Sequence, residues 1–248
     1  MLTILCATFF RWFEVSTASF FHYIKRFALL FVRIGVGICL IYFGTHSALF
    51  GPEFPLAELF GAGSTVVEFV FFALGAMILT GVFVRPIALA LIALWIYAAF
   101  FFGIMVLNYT DFLGAFIALL ILGGGMWSLD HSLKLAPWWR ARLVHLTPYA
   151  FPILRMSFGF GVMFAAIFAK YIHSQLALNV VTMYGLTDFF RFDPLFVVLG
   201  ALIIEFIAGL MIFLGIAIRW TGVFLIFWLT LSQMYFSEAV WPHLILFM

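Results

Sequence analysis

Seven stretches of this 248-residue chain are apolar over the length a helix needs to cross a membrane, near 28–50, 63–84, 86–107, 111–127, 151–172, 194–218 and 220–236. About 20 residues rising 1.5 Å each cover the roughly 30 Å of hydrocarbon in a bilayer. An unpaired backbone amide is costly there, so such runs fold as helices, and the short alternating strands of a barrel are absent from the sequence. An eighth apolar run begins after Pro242 and stops within HLILFM. The expected fold is an all-α polytopic bundle with seven full spans and a partial eighth. Composition excludes the alternative of an ordinary soluble domain, which is about 45–50% apolar and 25% charged; here the values are 67% and 9%.

The charges set the expected topology, because Lys and Arg beside spans are retained in the cytoplasm. With the N-terminus cytoplasmic, ten of the twelve basic residues fall inside: Arg11, Lys25, Arg26, Arg33, Arg85, Lys134, Arg140, Arg142, Arg155 and Arg219. Lys170 and Arg191 remain outside. Six of the ten acids, Glu53, Glu58, Asp111, Asp188, Asp193 and Glu238, then face outward. The first residues, MLTILCATFFRWFEVSTASFF, are interrupted by Arg11 and Glu14 and lack a cleavable small-residue site, so they read as an amphipathic interfacial segment. A net charge of +2, with no basic run interleaved by aromatics, excludes nucleic acid as a partner.

A repeat organises the spans. A shift of 134 residues lays GAMILTGVFVRPIALALI (75–92) on GLMIFLGIAIRWTGVFLI (209–226), with seven of eighteen positions identical, among them Gly75/Gly209, Gly81/Gly215 and Arg85/Arg219. A shift of 122 lays RIGVG at Arg33 on RMSFG at Arg155. An even number of helices per copy makes the repeat parallel, about an axis along the membrane normal. The expected organisation is an N-terminal segment (1–27), a first four-helix unit (28–130), a cytoplasmic linker (131–149) and a second unit (150–248) whose last helix is incomplete.

The run RIGVGICLIYFG from Arg33, the span VVEFVFFALGAMILTGVFVR ending at Arg85, the GGGMWSLD that closes the fourth span, and IEFIAGLMIFLGIAIR from Ile204 to Arg219 resemble the DoxX family of small four-helix membrane proteins. The chain is similar to a tandem pair of such units. Glu68 stands about one turn before the place held by Glu205, and Ser47 stands near where family members often carry a lysine. The resemblance implies a bacterial or archaeal inner-membrane protein. The family includes the small subunit of thiosulfate:quinone oxidoreductase and many members of no known activity.

Few residues carry chemistry. A carboxylate near mid-membrane costs about 3 kcal/mol on insertion scales, so it has a partner or a task. Glu205, eleven residues into the sixth span, is the clearest candidate for a proton or quinone contact; Lys170, at the end of the fifth span, is its candidate cationic partner. Glu68, nearer the outer surface, is a second candidate, and a structural ion pair is the plainer reading of each. Arg33 and Arg155 lie just inside the cytoplasmic ends of their helices, where long side chains snorkel to headgroups; Arg85 and Arg219 occupy tight turns and set topology. His46, His173 and His243 fall at the outer face near Glu53, Glu58 and Glu238, a set that could hold a metal only through packing, since no close ligand spacing occurs. No span carries a central histidine for haem, and no nucleotide loop or nucleophile triad is present. No intrinsic cofactor is therefore expected, with quinone the one candidate. The reading favoured by the resemblance is a membrane subunit of a respiratory-type redox complex that contacts lipids, other subunits and quinone. Alternatives are a structural or assembly subunit, and a small-solute or metal transporter.

Overall fold

The computed structural model describes residues 2–125, 127–133, 141–189, 192–236 and 241–247, without the side chains of 2–7, 10, 188, 189 and 236. Lys134, Trp138, Trp139, Arg140, Arg191 and Glu238 lie outside the described residues, as do the Cys6 and Asp188 side chains. Every named element among the described residues is helical. Five helical stretches are long and apolar enough to cross a membrane: Ala18–Thr45, Leu56–Thr80, Val84–Leu122, Ala141–Ile172 and Pro194–Leu214. The chain forms two compact units. The first comprises Val15–Leu154 with Val240–Met248, and the second Met1–Glu14 with Arg155–Ala239.

In the first unit the principal helices are α2 (Ala28–Thr45), α3 (Ser64–Thr80), α4 (Val84–Phe102) and α5 (Thr110–Leu122). Helices α2 and α3 meet backbone to backbone, because a Cβ on Gly75 would lie 2.7 Å from the carbonyl oxygen of Gly37. Without a hydrophobic drive between helices in lipid, such close approach is what dispersion and packing need. Helix α3 ends at Gly81, whose φ of 76° is costly for any side chain. There the Val82 N–H donates to the Met77 carbonyl at 2.8 Å and closes the last turn. Phe83 (φ 51°) then turns the chain into α4. A 3-10 corner, Gly103–Tyr109, leads from α4 to α5, and the Trp95 indole N–H ties it by donating to the Tyr109 carbonyl at 3.0 Å.

The loop after α2 folds inward: Leu49, Phe50 and Leu56 are fully buried and Phe54 is 1% exposed. Phe50 and Phe112 pack at 5.3 Å between ring centroids, and Phe43 lies 5.6 Å from each. The segment Trp241–Phe247, expected to begin the last helix of the second unit, packs in the first unit instead. Trp241 lies 5.8 Å from Phe43 and 6.3 Å from Tyr42, and the buried Cys39 thiol donates to its carbonyl at 3.6 Å. Burial against this aromatic core takes the Trp241 and Ile245 side chains out of contact with solvent.

The second unit contains α1 (Leu2–Ser16) up to Glu14, α6 (Ala150–Ile167) from Arg155, α7 (Ser174–Met183), α8 (Pro194–Leu214) and α9 (Ile218–Phe236). Asp193 caps α8 by accepting from the Leu195 N–H at 2.8 Å, with Pro194 at the first helical position. Helices α6 and α8 also cross on glycines, since a Cβ on Gly159 would stand 2.6 Å from the Gly209 carbonyl oxygen and 2.5 Å from the Phe213 nitrogen. Helix α8 ends at Gly215 (φ 81°), the Ile216 N–H donates to Met211 at 2.8 Å, and Ala217 (φ 45°) turns the chain into α9.

Candidate functional site

Glu205 sits eleven residues into the 21-residue α8, and Trp228 ten residues into the 19-residue α9. At 1.5 Å per residue each is about 15 Å from its helix start, which for Glu205 is near the middle of a helix long and apolar enough to cross a bilayer. Between them the carboxylate is fully engaged. One oxygen lies 2.6 Å from the Lys170 ammonium, and the other accepts from the Trp228 indole N–H at 3.0 Å. The lysine and glutamate side chains retain 22% and 17% of their exposure.

Lys170 reaches this depth from the far end of its helix. After Ile167 the chain makes one turn of π-helix, Phe168–Ile172, with the His173 N–H bonded to the Phe168 carbonyl at 3.0 Å. The wider turn shifts the residues that follow it, and such bulges often mark functional sites. Side chains on a helix lean toward its start, so the ammonium extends back toward the level of Glu205. The arrangement offers cationic and indole donors and a carboxylate acceptor within one hydrogen-bonded group, inside apolar surroundings where such groups are expensive.

The other expected residues are placed differently. Glu68 accepts from the Ser47 hydroxyl at 2.7 Å, a neutral partner where the second unit supplies a lysine. His46 lies 5.3 Å from the Tyr42 ring and 5.5 Å from Trp241, and His173 lies 4.6 Å from Phe168. His243 lies in the short turn Trp241–His243 of the first unit. Among the described residues, no three His, Cys, Asp or Glu side chains converge in a way that could hold a metal ion.

The four arginines line the turns at one end of each unit. Arg33 does not snorkel outward. It is 3% exposed and its two terminal nitrogens donate to the carbonyls of Gly124 (2.5 Å) and Trp127 (2.6 Å), just beyond α5. Arg85 donates to the carbonyls of Leu120, Ile121 and Leu122 at 3.2–3.3 Å and so covers the C-terminal carbonyls of α5. Asp130, in the same closing segment, accepts from the N–H groups of Phe83 (2.9 Å) and Val84 (3.0 Å) at the start of α4. In the second unit Arg219 pairs with Glu14: its guanidinium donates to the Glu14 carbonyl at 2.5 Å and lies 3.1 Å from the carboxylate, and its backbone N–H donates to that carboxylate at 3.2 Å. Arg33→Gln is expected to destabilise the first unit by about 2 kcal/mol, because the buried Gly124 carbonyl and the part-buried Trp127 carbonyl lose charged donors. A thermal-melting midpoint in detergent that does not move would refute this role.

Trp228 was not legible as part of the site, although it carried a signal. Tryptophan in membrane proteins collects at the interfaces, so one near the middle of an apolar run calls for a polar partner. No family model matches the chain, and no curated protein and no solved structure shows significant similarity to it.

Proposed function

We propose that this chain is an inner-membrane subunit of a respiratory-type redox complex, in which the Lys170–Glu205–Trp228 group contacts the headgroup of a quinone. The single observation that carries the reading is that group's position, about halfway along α8 and α9. A quinone carbonyl accepts from an ammonium or an indole N–H, and a quinol hydroxyl donates to a carboxylate. Reduction of quinone to quinol takes up two electrons and two protons, and Glu205 is the group suited to pass a proton at the headgroup. The electrons come from a partner subunit.

The same reading takes the chain as a tandem pair of DoxX-like four-helix units with seven full spans and a partial eighth, in a bacterial or archaeal membrane. The recurrence of one local geometry supports it. Gly37 against Gly75 corresponds to Gly159 against Gly209, and the turn Gly81–Phe83 to the turn Gly215–Ala217, each with a left-handed glycine and a left-handed residue two places on. A second reading, a structural subunit in which the ion pair only clasps helices together, is favoured by the closure of the pair at 2.6 Å.

The test is purification of the tagged protein from its native membrane in mild detergent, in parallel with Glu205→Gln. The redox reading predicts a co-purifying electron-transfer subunit in both preparations, with bound quinone and quinone-linked turnover in the native protein alone. Equal quinone and turnover in both would rule out the role of Glu205, and an assembled complex that never carries quinone favours the structural reading.

A further inference from the structure

Asp111, the second residue of α5 and expected at the outer face, is instead 3% exposed, and its Oδ2 is buried without a hydrogen-bond partner. One helical turn earlier, the Asn108 Oδ1 is likewise buried and unpartnered. The polar groups acting on the carboxyl are the backbone amides of Asp111 and Phe112. Phe112 itself packs in the aromatic core, its ring centroid 5.3 Å from that of Phe50 and 5.6 Å from that of Phe43. The buried Cys39 thiol is within electrostatic reach of Asp111, and it donates to the Trp241 carbonyl of the C-terminal segment.

No cation among the described residues pairs with this carboxyl. Arg33 on α2 and Arg85 on α4 are bonded to the carbonyls of Gly124, Trp127 and residues 120–122, at or just beyond the other end of α5. At 1.5 Å per residue that end is about 15 Å from Asp111. Tyr109, in the corner before α5, donates its hydroxyl to Glu53. Tyr42 on α2, Tyr97 on α4, and His145 and Tyr149 in the turn Val144–Tyr149 are exposed, and Leu244–Phe247 carries no titratable side chain. A buried carboxylate without a counter-charge is far more costly than a neutral group.

We propose that Asp111 is a proton-binding site of the first unit and stands in the folded protein as the neutral carboxylic acid. A proton fits where a metal ion does not. A hard cation gathers several oxygen ligands, whereas no three His, Cys, Asp or Glu side chains converge among the described residues. Two acceptor oxygens cannot satisfy each other, but a protonated Oδ2 is a donor, and Asn108 supplies an acceptor that lacks one a single turn away. The proposal does not rest on the quinone reading, because Asp111 and Glu205 belong to different units.

Infrared spectroscopy of the full-length protein in detergent at pH 7, recorded in sodium chloride and in choline chloride, tests this. Wild type is expected to show the carbonyl stretch of a protonated carboxyl in both salts, and Asp111→Asn to lose it. Asp111→Glu, which keeps the acid, is expected to retain the band at a shifted frequency, and this separates loss of the acid from loss of the fold. Absence of the band from wild type in both salts, or its undiminished persistence in Asp111→Asn, overturns the proposal. So does a band that appears in choline chloride alone, which assigns the site to a metal cation.

Discussion

Glu205→Leu is expected to destabilise the second unit by about 3 kcal/mol, the low end of the cost of removing one partner from a buried ion pair. The cost arises mainly from the survivor. Lys170 lies in a π-helical turn within a span, and without Glu205 its ammonium has no counter-charge among the described residues; the Trp228 indole N–H loses its acceptor as well. The low end applies because both side chains keep about a fifth of their exposure, which leaves the lysine some room to move outward. Lys170→Met combined with Glu205→Leu should restore stability to within about 1 kcal/mol of the native protein, because a pair exchanged for apolar groups of similar volume strands no charge. Thermal melting of the four proteins in one detergent completes the cycle. If the loss in the double variant equals the sum of the two single losses, the two side chains are not energetically coupled and the description of the site is wrong.

The second large effect is a packing one, and it bears on the same pair. Gly159→Val should cost about 3 kcal/mol, at the upper end of overpacking penalties. The atoms in the way are backbone, the Phe213 nitrogen at 2.5 Å and the Gly209 carbonyl oxygen at 2.6 Å, and no change of rotamer moves them aside. Helices α6 and α8 must separate, and Lys170 is carried just beyond the end of α6 while Glu205 is on α8. Glu205→Leu should therefore cost less in the Gly159→Val background than alone, a departure from additivity expected only where sites share a structural element. Gly200→Ala, on α8 with nothing within 4 Å of the added carbon, serves as the control and should change stability by less than about 1 kcal/mol. Additive losses in the double variant would show that the glycine crossing does not position the ion pair.

Much of this architecture was legible in the chain because lipid imposes few solutions. Long apolar runs must be helical, and glycines at matched spacings mark where helices touch or end; Gly81 and Gly215 do end helices, and Gly75 and Gly209 do lie at crossings. The meeting of Lys170 with Glu205 was also foreseeable, since two opposite charges at comparable depth in one bundle have few other partners. Less legible were features that depend on what lies across from a residue. Arg33 reads as a headgroup anchor from its position alone, yet carbonyls brought by the segment after α5 turn it inward. The tail at Trp241 reads as the start of a helix in the second unit, while its burial depends on an aromatic pocket formed by the first. Glu14 looked like an interruption in an amphipathic segment, and its partnership with Arg219 spans 205 positions of sequence. Sequence spacing has no term for contacts of that range.

The most direct test of the central claim is quinone binding by the Lys170→Met, Glu205→Leu double variant, reconstituted into liposomes with a short-chain benzoquinone or naphthoquinone. This variant should retain the fold while removing every charge from the site, so it separates a site that serves a ligand from a clasp that only holds helices. The account predicts that the folded double variant loses saturable quinone binding that the native protein shows. Saturable binding of equal affinity in both proteins would contradict it and leave the pair as a structural contact.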